Sequence, residues 1–495
     1  MNNNHHKVLF ACSEIAPLIK TGGLADVCAS LPGALQRADT DIKIALPGYK
    51  SVLEQIDHTR FVCMLDLPLG VVAVCQARFD DTDLLLICHP VFSNRAGNPY
   101  MSDDDRGWPD NPMRFALFSQ AVTELSINPA YLEWIPDVVH CHDWQTGLVP
   151  ALLALHNPRP ATVFTIHNLA YQGNIMHNHY TELGLPAAIF HANGVEFWGQ
   201  ASYIKGGIAY ADRVNTVSPR YATEIQTEAF GNGLDGLLRS RHERVSGILN
   251  GIDIDEWDPA TDTYLPANYS IDDLAGKSKN KAALQKQMGL PQTTDIPVFG
   301  VISRLAEQKG IDVIVDAVEN AESLDFQLVV LGSGETDLQN RLYNLQQKHP
   351  DHVAIKIGFD ESLSRLIEAG SDVFIMPSRY EPCGLNQLYS LRYGTLPLVT
   401  NVGGLADTVI NYENNPDEAN GFLIDDANPE SLTNGINRAL ELYPNQPVWR
   451  QLQHNGMAAH FSWDISAGLY LQLYNCAIGD AALANEQIRH AKLTG

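Results

Sequence analysis

The sequence predicts an α/β protein built from two doubly wound, Rossmann-like domains that face each other across a cleft. Short apolar runs alternate with helical patterns in both halves of the 495-residue chain, as in a doubly wound parallel sheet. A turn-rich acidic segment, NGIDIDEWDP at 250–259, separates the halves and has the character of an inter-domain connection. Because the chain is too long for one core, we expect domains at 1–250 and 251–462.

Composition and charge narrow the class of partner. Hydrophobic residues make up 45% of the chain and charged residues 18%, as in an ordinary soluble globular protein. The 58 Asp and Glu exceed the 33 Lys and Arg, and the formal net charge is −25. Such a surface repels nucleic acid and acidic membranes, so we expect neither as a partner. A neutral polymer is a more compatible partner for this acidic surface.

Cysteine spacing and hydropathy point to the cytoplasm. The eight cysteines are scattered and form no C-x-x-C pair, which favours reduced thiols over disulfides or a zinc site. No apolar run is long enough for a signal-peptide core or a membrane span.

In the first half, the pattern predicts a parallel sheet with helices at 24–35 and 145–156. The predicted strands are 7–12, 42–46, small strands or a hairpin up to Cys88, 137–141, 161–166, 213–217 and 245–249. The polar, aromatic stretch 100–115 is predicted as a loop that contains Tyr100, Trp108 and Arg114. It is either a plain surface loop or a lip that contacts carbohydrate, because aromatic rings and amide or carboxylate groups suit sugar faces and hydroxyls.

The loop after the first strand contains the segment KTGGLAD at 20–26. Its two glycines, Gly22 and Gly23, let the backbone approach a ligand, and Lys20 can place a charge there. The loop is neither a dinucleotide fingerprint nor a P-loop, which argues against hydride transfer and nucleotide hydrolysis.

Polar residues also follow two later strands of this half. Asp143 comes after the strand at 137–141, and His167 and Asn168 come after the strand at 161–166. Ligands bind at this carboxyl edge of an open parallel sheet. His140 precedes the end of its strand, so we interpret it as a satisfied core residue.

The second half repeats the alternation more cleanly. The predicted strands are 297–303, 327–331, 353–357, 373–376, 397–400 and 421–424. The predicted helices are 311–321, 337–347, 362–369, 429–442, 448–460 and a final amphipathic helix at 465–474, with a tail from about 479 that is polar enough to fray.

The central stretch of this half is PSRYEPCGLNQLYSLRYG at 377–394, where a buried strand leads into a polar loop and then a helix. Gly384 has no Cβ, so a ligand can come close, and the N–H groups of the helix's first turn favour an anion such as phosphate. Arg304 and Lys309 flank a turn after the first strand of this half and can reach the same anion. The alternative is an ordinary strand-to-helix turn.

The pentapeptide GGLAD occurs twice, at 22–26 and 403–407, each time after a predicted strand. Either both domains use the same glycine loop on facing edges, or two Gly/Ala-rich turns coincide.

Several of these segments resemble the bacterial glycogen synthases and the related plant starch synthases. The matching motifs are PLIKTGGLADV (17–27), HDWQTGLVP (142–150), TIHN (165–168), SRLAEQKG (303–310), EPCGLNQLYSLRYGT (381–395) and GGLADTV (403–409). They cover nearly the whole chain in the family's order, and KTGGLAD together with EPCGL is a specific signature.

The resemblance implies a retaining glycosyltransferase of the GT-B architecture. It would transfer glucose from ADP-glucose to the non-reducing end of an α-1,4-glucan such as glycogen and release ADP. The final helix, at about 463–478, would pack back on the first domain.

The resemblance also assigns roles to residues. Lys20 would bind the nucleotide sugar, Arg304 and Lys309 the diphosphate, and His167 the glucose, while Glu381 belongs to the catalytic loop and Asp143 lies near the reaction site. The backbone at Gly384, Leu385 and Asn386 would meet donor oxygens, although threonine is common at the position of Asn386 in bacterial relatives. The other predicted substrate-binding residues are Gly22, Gly23, Asp26, Tyr100, Asn168, Cys383, Gly403 and Gly404.

The implied chemistry needs fixed positive charge beside the leaving diphosphate. Arg304, Lys309 and the helix end near Gly384 can provide it, and no Asp-x-Asp pair is positioned to hold a metal. We therefore expect neither a metal nor a cofactor, ADP-glucose being a substrate.

Two alternatives stay open. One is a two-domain sugar transferase that makes sucrose or trehalose derivatives from another nucleotide donor. The other is a non-catalytic glucan-binding protein, against which the intact set of Lys20, His167, Arg304, Lys309 and Glu381 argues.

Overall fold

The chain divides into two compact units, each with its own hydrophobic core. The computed structural model describes residues 5–95, 97–102, 106–321 and 323–494. The first unit is Met1–Gly251 together with Trp463–Gly495, and the second is Ile252–Ser462. The second unit is thus an insertion between two segments that fold together.

The first unit is organised around a mixed sheet that is mostly parallel. Its strands are β1 (Lys7–Ala11), β2 (Asp41–Pro47), β3 (Arg60–Leu67), β4 (Gly70–Phe79), β5 (Thr82–Cys88), β6 (Val138–His142), β7 (Ala161–Ile166), β8 (Asn174–Met176), β9 (Glu196–Phe197), β10 (Gln200–Ser202), β11 (Arg213–Thr216) and β12 (Val245–Gly247). In the described part of the chain, nine of these form one sheet in the order β12-β11-β7-β6-β1-β2-β5-β4-β3. Strands β8, β10 and β9 form a separate small antiparallel sheet.

Neighbouring strands from β12 to β5 run parallel, whereas β4 pairs antiparallel with both β5 and β3. The central strands are covered on both faces, which explains their continuous apolar runs: β7 is buried along its whole length. Strand order reverses between β1 and β6. Ligands bind beyond the carboxyl ends of strands at such a switch point.

The helices of this unit differ from the prediction at two places. They are α1 (Gly23–Arg37), α2 (Lys50–Gln55), α3 (Pro90–Ser93), α4 (Asn111–Ile127), α5 (Pro129–Leu132), α6 (Leu148–Leu153), α7 (His177–Glu182), α8 (Tyr203–Tyr210), α9 (Pro219–Glu224) and α10 (Asp235–Ser240). The predicted loop 100–115 is wrong from Asn111 onward, because Pro112 in the first turn starts α4 and its residue Arg114 is fully buried. Residues 103–105 of that stretch lie outside the described residues.

The predicted helix 145–156 is also wrong in its extent. A short 3-10 helix, Trp144–Thr146, precedes the six-residue α6. A helix beginning at Gln145 would put Pro150, which has no N–H, in its interior. The observed helix instead begins close enough to Pro150 to keep it in the first turn.

The second unit is a doubly wound parallel sheet, as the sequence predicts. Its strands are β13 (Val298–Leu305), β14 (Gln327–Gly334), β15 (Val353–Ile357), β16 (Val373–Met376), β17 (Leu396–Thr400) and β18 (Phe422–Ile424). All pairs are parallel, in the order β15-β14-β13-β16-β17-β18, so the order reverses between β13 and β16.

Helices cover both faces of this second sheet. They are α11 (Ala275–Met288), α12 (Ile311–Glu319), α13 (Thr336–Lys348), α14 (Glu361–Gly370), α15 (Asn386–Arg392), α16 (Gly403–Thr408), α17 (Pro429–Leu442) and α18 (Gln446–Ala458). Helix α12 illustrates the cause: Ile311, Ile314, Val315 and Val318 fall on one face and enter the core formed with β13 and β14.

The last helix, α19 (Trp463–Thr494), belongs to the first unit. Its residues Tyr470 and Tyr474 are fully buried in that unit's core. The predicted fraying from about 479 is wrong, because Ala481 is buried and Asp480 pairs with Arg213 at 2.7 Å. No helix among the described residues is both long and apolar enough to cross a membrane.

Candidate active site

A buried carboxylate, Glu14, organises the glycine loop at the switch point of the first sheet. Glu14 is only 3% exposed and accepts hydrogen bonds from Thr21 N at 2.6 Å, Thr21 Oγ1 at 2.7 Å and Gly22 N at 3.3 Å. The Tyr100 hydroxyl donates to it at 2.8 Å. Burial raises the pKa of Glu14, and these hydrogen bonds oppose that shift. Sequence reasoning missed Glu14; its signal is a charged residue just after a buried strand.

Lys20 projects from the same loop. Its Nζ lies 2.6 Å from Asp26 Oδ1, in the first turn of α1, and the side chain is half exposed. Helix α1 begins at Gly23, so the first GGLAD segment lies at a helix N-terminus. Lys20, Gly22, Gly23 and Asp26 are therefore neighbours, and Tyr100 joins them through Glu14.

Asp143, which follows β6, ties this strand to the end of β7. Its Oδ1 accepts from His167 N at 2.7 Å and from Asn168 N at 3.3 Å. Burial raises the pKa of Asp143 to about 7, against the effect of those two hydrogen bonds, and the Glu14 charge adds to the rise. Its backbone has φ +57° and ψ −177°, a conformation costly for a residue with a Cβ. Such strain marks functional sites.

Histidines from β6 and the end of β7 form a neutral row, in which His140 and His142 are buried and His167 is partly buried. His142 Nδ1 and His167 Nε2 share a hydrogen bond of 2.9 Å. His140 bonds Tyr474 Oη at 2.9 Å and Thr165 Oγ1 at 2.7 Å, which agrees with its interpretation as a satisfied core residue. Burial lowers the pKa of His167 to about 3 and the pKa values of the other two well below their ordinary range. His167 is therefore a neutral hydrogen-bonding group near pH 7.

In the second unit, the reversal of strand order brings Lys309 and Glu381 together. Lys309 ends the short 3-10 helix after β13, and Glu381 lies in the loop after β16. Lys309 Nζ lies 2.6 Å from Glu381 Oε2, which also accepts from Ser378 Oγ at 3.1 Å. Glu381 is 5% exposed. Arg304 is exposed and donates to Gln308 Oε1 at 3.3 Å.

Two glycines let the start of α16 touch the Glu381 loop. Gly404 N donates to Glu381 O at 3.1 Å. A Cβ on Gly403, where φ is +44°, would lie 1.9 Å from Glu381 O, and one on Gly404 would lie 2.1 Å from Cys383 O. The second GGLAD segment therefore lies against the loop that carries Glu381 and Cys383.

The start of α15 carries the other predicted backbone contacts. Gly384 has φ +72°, and the space beside it is filled by Gln387, whose Oε1 would lie 2.3 Å from an added Cβ. Leu385 is the N-cap of α15, and Asn386 Nδ2 donates to Ile302 O at 2.7 Å. The Asn386 side chain thus fixes α15 to β13.

Sequence reasoning also missed Arg379, which lies in the same loop as Glu381 and holds that loop in place. Its Nη1 and Nη2 donate to the two carboxylate oxygens of Asp312, on α12, at 2.9 and 2.7 Å. These hydrogen bonds, helped by the opposite charges, lower the pKa of Asp312 and raise that of Arg379. The described residues contain no group of three or more His, Cys, Asp or Glu side chains placed to hold a metal ion.

Two family models match the chain in the order of its two units. Residues 7–240 match the starch synthase catalytic domain, and residues 285–454 match the glycosyl transferases group 1. A protein with these two matched domains, each doubly wound and with polar residues at its switch point, is a glycosyltransferase of the GT-B fold.

Full-length relatives define the family more closely. The chain is 49% identical to a glycogen synthase of Cellvibrio japonicus (95% of this chain, 99% of the relative) and 47% identical to one of Thioalkalivibrio sulfidiphilus (94% and 99%). The chain belongs to the glycogen synthase family, which confirms the resemblance seen in its motifs.

Solved structures agree. The catalytic domain of starch synthase IV from Arabidopsis thaliana, bound to ADP and acarbose, matches with a TM-score of 0.86 and 34% identity, over 96% of this chain and 100% of that one. A sucrose-phosphate synthase from Thermosynechococcus elongatus shares the fold, with a TM-score of 0.59 and 18% identity over 95% of this chain and 98% of that one.

Proposed function

We propose that this protein transfers glucose from ADP-glucose to the non-reducing end of an α-1,4-glucan such as glycogen, releasing ADP with retention of configuration. The observation that carries the proposal is the Lys309–Glu381 pair, 2.6 Å apart at the switch point of the second sheet, in a member of the glycogen synthase family. The ADP and acarbose bound to the similar starch synthase IV domain support both the nucleotide and the glucan.

Lys309 and Arg304 act on the leaving diphosphate. Breaking the glycosyl–phosphate bond places negative charge on the phosphate, and fixed cations stabilise that charge without reorganising. In the free protein Glu381 already holds the Lys309 ammonium at 2.6 Å, so the cation is positioned before the donor arrives. These two cations take the part that a metal ion plays in other transferases, and the reaction needs neither a metal nor a cofactor.

Asp143, His167 and Glu381 act on the sugar side. The glucose ring becomes positively charged as the bond breaks, so a cation beside it would oppose the reaction. His167, with its pKa near 3, is neutral and serves as a hydrogen-bonding group for a sugar hydroxyl. The carboxylate of Asp143 stabilises the ring charge, and Glu381 steadies the sugar through its hydroxyls.

The acceptor hydroxyl attacks on the same face from which ADP leaves. The bond between the anomeric carbon and the phosphate oxygen breaks while a bond to the glucan O4 forms, and the hydroxyl proton passes to the departing phosphate. The anomeric configuration is therefore retained without a covalent enzyme intermediate.

The test is transfer of labelled glucose to glycogen from ADP-glucose and UDP-glucose, side by side, in the presence of a chelator. We expect strong incorporation from ADP-glucose alone. Preference for UDP-glucose, or transfer only to a small acceptor, would assign the protein to a neighbouring family of sugar transferases, and dependence on added metal would refute the metal-free clamp.

A further inference from the structure

The hairpin between β9 and β10 contains a residue that its turn disfavours. The two turn residues, Trp198 and Gly199, have φ values of +53° and +79°, which defines a two-residue turn with both positions left-handed. This turn type prefers Asn-Gly, because few side chains tolerate positive φ at the first position. A bulky indole at that position is unfavourable.

Few contacts within the described part of the protein compensate for this backbone strain. Trp198 is 85% exposed, and its one aromatic neighbour among the described residues is Phe197, met edge-on at 6.4 Å between ring centroids. Trp198 therefore destabilises the free protein in two ways: through its backbone conformation and through the exposed apolar surface of its indole. A residue that violates two preferences at once is expected to gain something from a partner.

The surroundings of Trp198 are aromatic and amide groups, which we call the Trp198 platform. Gln172 Nε2 donates to Asn232 O at 2.9 Å and Asn174 Nδ2 donates to Gln172 Oε1 at 3.0 Å. An added Cβ on Gly233, next to Asn232, would lie 3.9 Å from Trp198 Nε1, which brings the two turns together. The platform consists of Gln172, Asn174, Trp198 and Asn232.

The chemistry of the platform fits a neutral, polyhydroxylated ligand. Aromatic faces pack against the C–H faces of sugar rings, and amides donate to and accept from sugar hydroxyls. None of the four side chains is charged. Nearby Glu196 accepts from Gly199 N at 2.8 Å, and Lys205 Nζ donates to Ala192 O at 2.6 Å, so both charges already have partners. With a net charge of −25, the protein as a whole disfavours an anionic occupant.

We propose that the Trp198 platform binds a chain of the α-glucan acceptor, separately from the sites of donor and reacting chain end. The identity of the glucan rests on the proposed function. A large branched acceptor offers many chains, so a second contact raises the local concentration of chain ends at the active site. Short oligosaccharides, which fill only the reacting site, do not gain from the platform.

The experiment compares three variants in the full chain. Trp198→Asn keeps the turn and removes the indole, Trp198→Tyr keeps an aromatic ring, and Phe359→Ala removes a residue that is 82% exposed in the second unit. We measure co-sedimentation with glycogen, the KM for glycogen and for maltotetraose, and the melting temperature.

For Trp198→Asn we expect glycogen binding about tenfold weaker and a correspondingly higher KM for glycogen, the size of effect typical of one lost aromatic anchor. The KM for maltotetraose stays unchanged, and the melting temperature is equal or higher because Asn-Gly suits the turn. Trp198→Tyr binds glycogen within about threefold of the parent, and Phe359→Ala matches the parent in every measurement.

Unchanged co-sedimentation of Trp198→Asn would overturn the proposal. So would an equal loss with maltotetraose, which would place Trp198 in the reacting site, or a change in oligomeric state by light scattering, which would make the patch a self-association surface. If the parent failed to transfer glucose from ADP-glucose to maltotetraose, the proposed function would fall, while glycogen co-sedimentation would still judge the platform.

Discussion

At the scale of single residues, an ion pair with Glu381 defines the position of Lys309. Glu381 holds it at 2.6 Å, and that loop is fixed in turn by the paired charges of Arg379 and Asp312. A charge that is already oriented needs no reorganisation when the diphosphate leaves. The pair therefore gives the sharpest test of the phosphate clamp.

We expect Lys309→Ala to lower kcat/KM for ADP-glucose by roughly 30- to 1,000-fold, about 2 to 4 kcal/mol of transition-state stabilisation. Part of this loss reflects Glu381, which is left buried without its partner. Steady-state kinetics provide the measurement and circular dichroism checks the fold. Lys279→Ala, at an exposed lysine of α11, is the matched control and keeps full activity. Near-normal turnover of Lys309→Ala would remove this residue from the clamp.

Asp143 leads to a second residue-scale prediction, on pH. Its pKa of about 7 means that the carboxyl group is protonated below neutrality and ionised above it. If the ionised form stabilises the sugar's positive charge, kcat/KM rises as pH increases through about 7. His167, with a pKa of about 3, contributes no inflection between pH 5 and 8.

The variant Asp143→Asn keeps an oxygen that can accept from the backbone N–H groups of His167 and Asn168. We expect it to be much less active and to have lost the inflection near pH 7 in a kcat/KM profile measured from pH 5.5 to 8.5. If the inflection survives in the variant, another group is responsible for it.

Residues that carry a local sequence signal could be predicted, and those that act through distant partners could not. Lys309, Glu381 and Gly404 lie in motifs at strand ends, so their positions in the fold follow from chain order. Glu14 and Arg379 matter because of what folding brings to them: Thr21 and Tyr100 for one, Asp312 for the other. No pattern in the sequence predicts these tertiary contacts.

At the scale of elements, helix α15, which follows the Glu381 loop, is held to α14 by a buried carboxyl group. Ser390 Oγ lies 2.7 Å from Glu368 Oε2 and 2.8 Å from Asn386 O. One hydroxyl hydrogen cannot serve both acceptors. If Glu368 is protonated, it donates to Ser390, and Ser390 donates to Asn386 O, which satisfies the chain of bonds.

Glu368 predicts a pH dependence of stability. It is 1% exposed, and burial raises its pKa from 4.5 to about 8. Between those values the folded protein keeps a proton that the unfolded chain releases, so this group makes the fold less stable as pH rises, by up to about 1.4 kcal/mol per pH unit. Glutamine imitates the protonated acid and cannot ionise.

We therefore expect Glu368→Gln to match the parent at pH 5 and to melt at a higher temperature at pH 8, with the difference growing steadily between them. Differential scanning calorimetry across that range provides the measurement. Glu441→Gln, at an exposed position of α17, is the control and gives no such trend. A constant difference from pH 5 to 8 would mean that Glu368 titrates normally.

Among the elements, strands were easier to predict than helix ends. Buried parallel strands such as β7 are continuous apolar runs, and their limits follow from the run. The start of α4 was missed because its first turn, with Asn111, Pro112 and Arg114, is polar although Arg114 is buried. The end of α19 was missed because alanines that pack in the core look the same in sequence as alanines in a frayed tail.

At the scale of the whole molecule, each unit has a sheet with a switch point among its parallel strands, and the proposed site residues lie beyond that point in both. Alternation of strands and helices predicts this architecture because each crossover must run right-handed and leave helices on both faces. No local sequence pattern predicts that α19 packs back on the first unit. It depends on tyrosines that find partners more than 200 positions away in sequence, such as His140, 334 residues from Tyr474.

The last prediction concerns helix α19 and whether each unit can fold without it. Its buried residues in the core of the first unit include Trp463, Tyr470 and Tyr474. Polar contacts add to them: Tyr470 Oη accepts from Asn215 Nδ2 at 3.1 Å, and Ser466 Oγ donates to Leu249 O at 2.6 Å. Because burying each large side chain contributes about 1.5 to 3 kcal/mol, losing the helix removes about as much free energy as a domain's whole stability.

A chain that stops after Ser462 should therefore fail to fold its first unit, whereas one that stops after Gln487, which keeps the contacts of Asn485 with Asn157 and Arg159, should melt like the parent. The second unit has a core of its own and should still fold in the shorter chain. Calorimetry and limited proteolysis give the readout: we expect one transition and a protected fragment from 252–462. If the chain ending at Ser462 kept a protected first unit, α19 would be an accessory to that core and not part of it.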